Sequence, residues 1–326
     1  MPSDPDSHDL RVALMPSLSP GQSSALSASV IAAIEDLELA ARLVVEGLRT
    51  GGHRSPFHGF STEFRQHRPY RAGDDLKYLD WKLYARSDRL YTRQFRETTN
   101  FSVMLALDTS ASMAFPPEGV SKFRYGQIVT AALAHLASEQ GHAVGLMSMT
   151  GDKLSYVPPR GGRHHLRSLI AAIDRLAASG TWDPARVTAR AGQLLQRRGV
   201  VVVISDFYDG EEETRREMRR MTERGHDVAM LQLVSPAELS YPSSGQVELE
   251  DLETGERRLI DGAEVAAVYH SAFNDFLDRC RREALRDGVD YALISTNRPP
   301  ESALRDYLLR RGRRDVATAG PRTVAG

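Results

Sequence analysis

Between Phe101 and Met113 the chain reads Phe-Ser-Val-Met-Leu-Ala-Leu-Asp-Thr-Ser-Ala-Ser-Met, an apolar run that ends in one acid, Asp108, and hydroxyls at Ser110 and Ser112. Oxygen side chains at i, i+2 and i+4 face one way when the chain is extended or tightly coiled, so the three can converge on a point. Such a trio suits a hard divalent cation. Mg²⁺ takes oxygen ligands in near-octahedral geometry and keeps several waters, so one carboxylate with two neutral hydroxyls leaves it open, positive and receptive to an outside carboxylate. The same residues also fit a plainer role, a strand followed by a turn in which Asp108 caps the backbone through its own side chain.

The elements that would position this trio follow from periodicity. Phe101 to Leu107 shows no polar alternation, as expected of a central strand covered on both faces. Gly199-Val-Val-Val-Val-Ile204 is the most β-branched run in the chain and stops at Ser205-Asp206, a second acid after a strand. Between them, Ser121 to Glu139 carries apolar residues at helical spacing and reads as a crossover helix. Ala143–Met149 and Leu154–Val157 read as a hairpin, Pro158-Pro159 and Gly161-Gly162 as breaks, and 166–178 and 184–197 as helices separated by the loop Ser179-Gly180-Thr181. Downstream, a helix (211–224), a strand (227–234), a hairpin (246–249 with 257–260), a long helix (264–286), a strand (289–295) and a last helix (299–310) complete the pattern.

Strands alternating with helices predict an α/β fold with a doubly wound, mostly parallel sheet flanked by helices. In such sheets ligands gather at the carboxyl edge where strand order reverses. Asp108, Ser110, Ser112, Thr181 and Asp206 all fall in loops at that edge, so five oxygens can surround one ion.

Upstream, 27–48 reads as an amphipathic helix stopped by Gly51-Gly52. Residues 1–26 and 313–326 are poor in large apolar side chains and are expected to be disordered tails. From His53 to Glu97 the chain holds nine of its 23 aromatics, with ten Lys/Arg against six Asp/Glu. Interleaved basic and aromatic side chains can stack bases and hold phosphates, which makes nucleic acid one possible partner. Asp74, Asp75 and Asp80 among the arginines point instead to internal pairing with Arg68, Arg71 and Arg86.

With 326 residues and a net charge of −1, no global field draws the chain to nucleic acid or membrane. The single Cys280 excludes an internal disulfide and fits a reducing compartment. No apolar run reaches the ~18 residues a membrane span needs, and Met1-Pro-Ser-Asp-Pro-Asp has no signal pattern. Cytoplasmic localisation is the expectation.

Asp-x-Ser-x-Ser after an apolar strand, a Gly-Thr in a second loop and an Asp after a Val-rich strand resemble the metal-ion-dependent adhesion site of von Willebrand factor A domains, over residues 99–297. The resemblance implies that Asp108, Ser110, Ser112 and Thr181 bind the ion directly and Asp206 directly or through water. The ion would be Mg²⁺, with Mn²⁺ and Ca²⁺ as alternatives. Ahead of it, Gly59-Phe-Ser-Thr-Glu63-Phe64-Arg65, Arg68-Pro-Tyr70-Arg71-Ala-Gly73-Asp74-Asp75, Asp80-Trp81 and Ala85-Arg86 resemble the block that precedes such a domain in the bacterial family called domain of unknown function 58. That likeness implies two folded parts between the two tails: a helix and family-specific block at 27–98, packed on a von Willebrand factor A-like domain at 99–312. It also implies a protein-interaction module or adaptor, working with a MoxR-type AAA+ ATPase or its client in protein maturation or assembly.

Enzymatic readings find less support. A haloacid-dehalogenase phosphatase needs a second acid two residues after Asp108, where Ser110 stands, and a serine hydrolase needs a Gly-x-Ser-x-Gly elbow that is missing. His164 and His165 could serve as a base but sit in a Gly/Arg-rich stretch. No phosphate-binding glycine loop or His-Glu-x-x-His occurs. A metal-dependent hydrolase and nucleic-acid binding through 53–97 remain the alternatives to a binding module.

Overall fold

In a computed structural model the chain is described over residues 26–50, 62–70, 79–97, 101–150, 153–195, 198–208, 211–240, 246–250 and 257–318. The expected tail at 1–25, the Gly51-Gly52 stop, Asp74 and Asp75 with Arg71, and residues 319–326 lie outside these.

The centre is a six-stranded sheet. Its strands are β3 (Ser102–Leu107), β4 (Ala143–Thr150), β5 (Lys153–Arg160), β6 (Val200–Ser205), β7 (Asp227–Val234) and β10 (Asp290–Ser295), in the order β10-β7-β6-β3-β4-β5. All pair in parallel except β5, which runs antiparallel to β4 at the edge. Strand order therefore reverses between β3 and β6, and the doubly wound α/β sheet expected from the sequence is the one observed. Two further antiparallel pairs form separate two-stranded sheets, β1 (Thr62–Pro69) with β2 (Tyr91–Glu97) and β8 (Gln246–Glu250) with β9 (Arg257–Asp261).

The missing alternation in β3 and β6 has a direct cause. Val103, Leu105 and Leu107 with Val200, Val202 and Ile204 face one apolar core, whereas Met104 and Ala106 with Val201 and Val203 face another. Both faces are buried, so period-2 side chains are apolar on both sides. The first core is closed by α2 (Leu37–Thr50), α4 (Lys122–Glu139), α5 (Arg163–Asp174) and α10 (Pro300–Thr318), and the second by α6 (Pro184–Leu194), α7 (Glu211–Glu223) and α9 (Gly262–Arg286).

Several sequence expectations need correction. The helix expected over 27–48 is two, α1 (Ala28–Ala32) and α2, because Asp36 Oδ1 accepts the amide N–H groups of Glu38 and Leu39 at 2.9 and 3.1 Å and so starts a new helix. Pro158-Pro159 does not break the chain but lies within β5, where an edge position leaves one side of the strand unpaired. The last helix runs to Thr318 rather than Arg310, so residues 313–318 are helical rather than disordered. Asp80 also caps α3 (Trp81–Ser87) by accepting the Leu83 N–H at 3.0 Å, a role the sequence reading did not give it. Among the described residues no helix is long and apolar enough to cross a membrane.

Candidate functional site

At the reversal of strand order, the ends of β3 and β6 lie side by side. The Asp108 amide donates to the Ile204 carbonyl at 2.9 Å, which extends the ladder by one residue and fixes the carboxylate at the sheet's rim. Asp108 is 2% exposed. Its Oδ1 accepts the Ser110 N–H at 2.8 Å, the Asx turn that the plainer reading expected, and its Oδ2 accepts the Ser205 hydroxyl at 2.5 Å. The turn and the cluster are thus one structure.

Past this turn the chain coils into a single 3₁₀ turn, Ala111–Ala114, with Ser110 at its N-cap. That coil brings the Ser110 and Ser112 hydroxyls within 2.9 Å of each other, and Ser112 donates to Asp206 Oδ2 at 2.8 Å. Since the single Ser112 proton goes to Asp206, Ser110 is the donor of the pair. Four of the five residues that sequence reasoning singled out are therefore joined by hydrogen bonds.

Thr181 stands apart. Its loop is tied to the site through backbone, with the Ser179 N–H donating to the Thr109 carbonyl at 2.7 Å and the Ala111 N–H to the Gly180 carbonyl at 2.9 Å. Gly180 has φ +72°, a conformation that suits glycine and turns its carbonyl toward Ala111. Thr181 itself is exposed at the rim and makes no side-chain hydrogen bond among the described residues.

Three participants were not read from the sequence. Ser205 bridges the strands, since it donates to Asp108 and accepts the N–H of Phe207 at 2.8 Å. Phe207 has φ +60°, a left-handed conformation costing about 1–2 kcal/mol in a non-glycine residue. Lys122, fully buried at the start of α4, places Nζ 2.8 Å from Asp206 Oδ2 and 2.5 Å from Glu238 Oε1. Glu238 lies in a one-turn helix, α8 (Pro236–Leu239), after β7; its other oxygen accepts the Ser235 N–H at 2.6 Å in a capping box. The Tyr208 ring covers the ammonium at 4.5 Å from its centroid.

A lysine at the first position of a helix is a usable signal, because the positive end of the helix dipole disfavours a cation there. Nothing in the sequence connects residue 238 to residue 122.

Burial, and next the Asp206 carboxylate, push the Asp108 carboxyl from the ordinary carboxylate range up to about 7, against the hydrogen bonds from Ser205 and Ser110 that pull it down. Among the described residues no cation is paired with the buried Asp108 carboxyl. Two carboxylates and two hydroxyls, all hard oxygens, fit a divalent cation such as Mg²⁺. His165, considered as a base, has its Nε2 committed to the Val144 carbonyl at 2.8 Å.

Sheet and site together define a doubly wound α/β protein with a carboxylate and hydroxyl cluster at its switch point. The chain belongs to the family described as Protein of unknown function DUF58, whose model matches residues 66–275. The uncharacterized protein Rv1480 of Mycobacterium tuberculosis is 30% identical over 227 residues, which are 69% of this chain and 71% of that protein. Similar solved structures include an aerotolerance-related membrane protein from Bacteroides fragilis, at 15% identity and TM-score 0.46, covering 65% of this chain and all of that one. The SpRpn10 VWA domain is similar at 13% identity and TM-score 0.37, over 65% of this chain and 95% of that domain.

Proposed function

We propose that this protein is a metal-dependent protein-interaction module. Asp108, Ser110 and Ser112 would hold Mg²⁺, with Asp206 directly or through water and Thr181 from the adjoining loop, and the ion would capture a Glu or Asp side chain of a partner. The observation that carries the reading is the hydrogen-bonded chain Ser110–Ser112–Asp206 set beside the buried Asp108 at the switch point. When bound, the ion supplies an open coordination position with residual positive charge. The chain's own residues do the rest: Ser205 and the Ser110 amide orient Asp108, and Lys122 orients Asp206. The family resemblance makes a MoxR-type AAA+ ATPase, or its client, the source of the carboxylate.

The test is retention of a purified MoxR-type ATPase from the source organism on the immobilised full chain. Retention is expected with MgCl₂, and it is expected to be lost in EDTA and in Asp108→Ala. Equal retention in EDTA overturns the reading.

A further inference from the structure

The Lys122 ammonium is out of place by every local rule. It is fully buried, where an ion costs several kcal/mol unless paired, and it sits at the positive end of its own helix. What holds it is a pair of carboxylates, Asp206 and Glu238, from the loops after two different strands. Asp206 Oδ2 thereby receives two donors at 2.8 Å, the Ser112 hydroxyl and the ammonium, which occupy both of its lone pairs. The Tyr208 N–H is directed at the remaining oxygen at 3.3 Å.

We propose that Lys122 is a resident cation that holds Asp206 off the metal, so that the ion meets this carboxylate through water and keeps the net positive charge that selects an anionic last ligand. The inference rests on the metal reading above and goes beyond it, because it assigns the charge selectivity of the site to a residue that touches no metal. If Asp108 and Asp206 both bound the ion directly, they would neutralise it, and a neutral centre gains little from a further carboxylate. With Asp206 held by Lys122, the ion and its direct ligands carry one positive charge, since Asp108 is then the one carboxylate bound directly; Lys122, Asp206 and Glu238 together sum to −1 one shell further out, where the intervening water weakens their pull. Glu238 takes part of the ammonium's attraction and so limits the repulsion between Lys122 and the incoming ion. Lys122 is therefore a positioning residue.

Tb³⁺ luminescence on the full chain tests this. Decay rates in H₂O and D₂O count the waters on the bound ion, and competition by Mg²⁺ gives the affinity. In Lys122→Met, Asp206 is released to the ion, so Mg²⁺ affinity is expected to rise at least about tenfold, given the strength of one unit charge at close range. The Tb³⁺ ion is expected to lose one water. In Glu238→Gln the ammonium is undivided and closer to the ion, and Mg²⁺ affinity is expected to fall by a similar factor with the water count unchanged. A lysine that acts by its charge alone would also raise affinity on removal but would leave the water count unchanged, so the lost water is the deciding readout.

An unchanged water count in a folded Lys122→Met, or binding no tighter than the wild type, overturns the inference. If that variant does not fold, Glu238→Gln decides, and unchanged affinity there overturns it. Should the wild type bind no Tb³⁺, or Asp108→Ala bind it equally well, the metal reading itself falls and takes this inference with it.

Discussion

Asp108 makes the metal-free chain less stable than it could be. Its carboxyl titrates near 7 when folded and near 3.8 when unfolded, so between these values the folded state holds a proton that the unfolded state has released. Stability from this group is accordingly greatest at low pH and declines as pH rises through about 7. Asp108→Asn removes the charge while keeping the shape. In EDTA at pH 8 the variant is expected to exceed the wild type by roughly 1 kcal/mol or more, the difference shrinking toward pH 5, and to gain nothing from MgCl₂. Thermal melts at both pH values, with and without Mg²⁺, check this; an equal difference at pH 5 and pH 8 removes the argument. Asp108, Ser110, Ser112 and Asp206 were legible in the sequence because each follows a strand whose apolar run marks its own end. Lys122 and Glu238 were not. Their pairing spans 116 residues, and each had a sufficient local explanation, as the start of a helix and as the acid of a capping box.

Elements were legible where apolar periodicity decided them and failed where something else did. The apolar pattern ended the helix at Arg310 and the run from Arg313 onward looked like a tail, yet α10 continues because Arg311 is buried in ion pairs with Asp227 and Asp290, the leading residues of β7 and β10. Charge rather than apolar spacing holds that turn. Pro158-Pro159 misled for the opposite reason: the proline rule is strict only inside a sheet, and β5 is an edge. Opposite these prolines the ladder shifts register between Val144 and Leu146, and at Gly145 an added Cβ would lie 2.7 Å from the Val157 carbonyl oxygen and 2.9 Å from the Pro159 nitrogen. Backbone cannot yield as a side-chain tip can. Gly145→Ala is therefore expected to destabilise the protein by about 1–3 kcal/mol. Denaturant melts of the full chain measure it, and a midpoint within error of the wild type would mean that β5 shifts freely on β4.

For the molecule as a whole, the boundary near residue 99 that the sequence suggested does not coincide with a boundary in the core. Leu37, Ala40, Ala41, Val44, Val45 and Leu48 of α2 are buried in the same cluster as Val103 and Leu105 of β3, Leu136 of α4 and Leu304 and Leu308 of α10. The Arg124 guanidinium, two residues beyond Lys122, donates to the carbonyls of Ala32 and Ile34 at 3.4 and 2.5 Å, which fastens the α1–α2 turn to the helix that carries the buried lysine. Ser27 and Ala28 also line an open groove of about 600 Å³ together with Phe115 and Ser235. Burying Leu37, Val44, Val45 and Leu48 alone contributes up to about 6 kcal/mol, comparable to the whole net stability of a typical domain. A fragment starting at residue 99 would expose the matching faces of α4 and α10 to water. It is expected to bind a dye that reports exposed apolar surface and to aggregate at concentrations where the full chain stays monodisperse. If instead the fragment melts cooperatively within a few degrees of the full chain, α2 is an appendage. Otherwise the helix ahead of the aromatic block is as much a part of the sheet domain as the strand that carries Asp108.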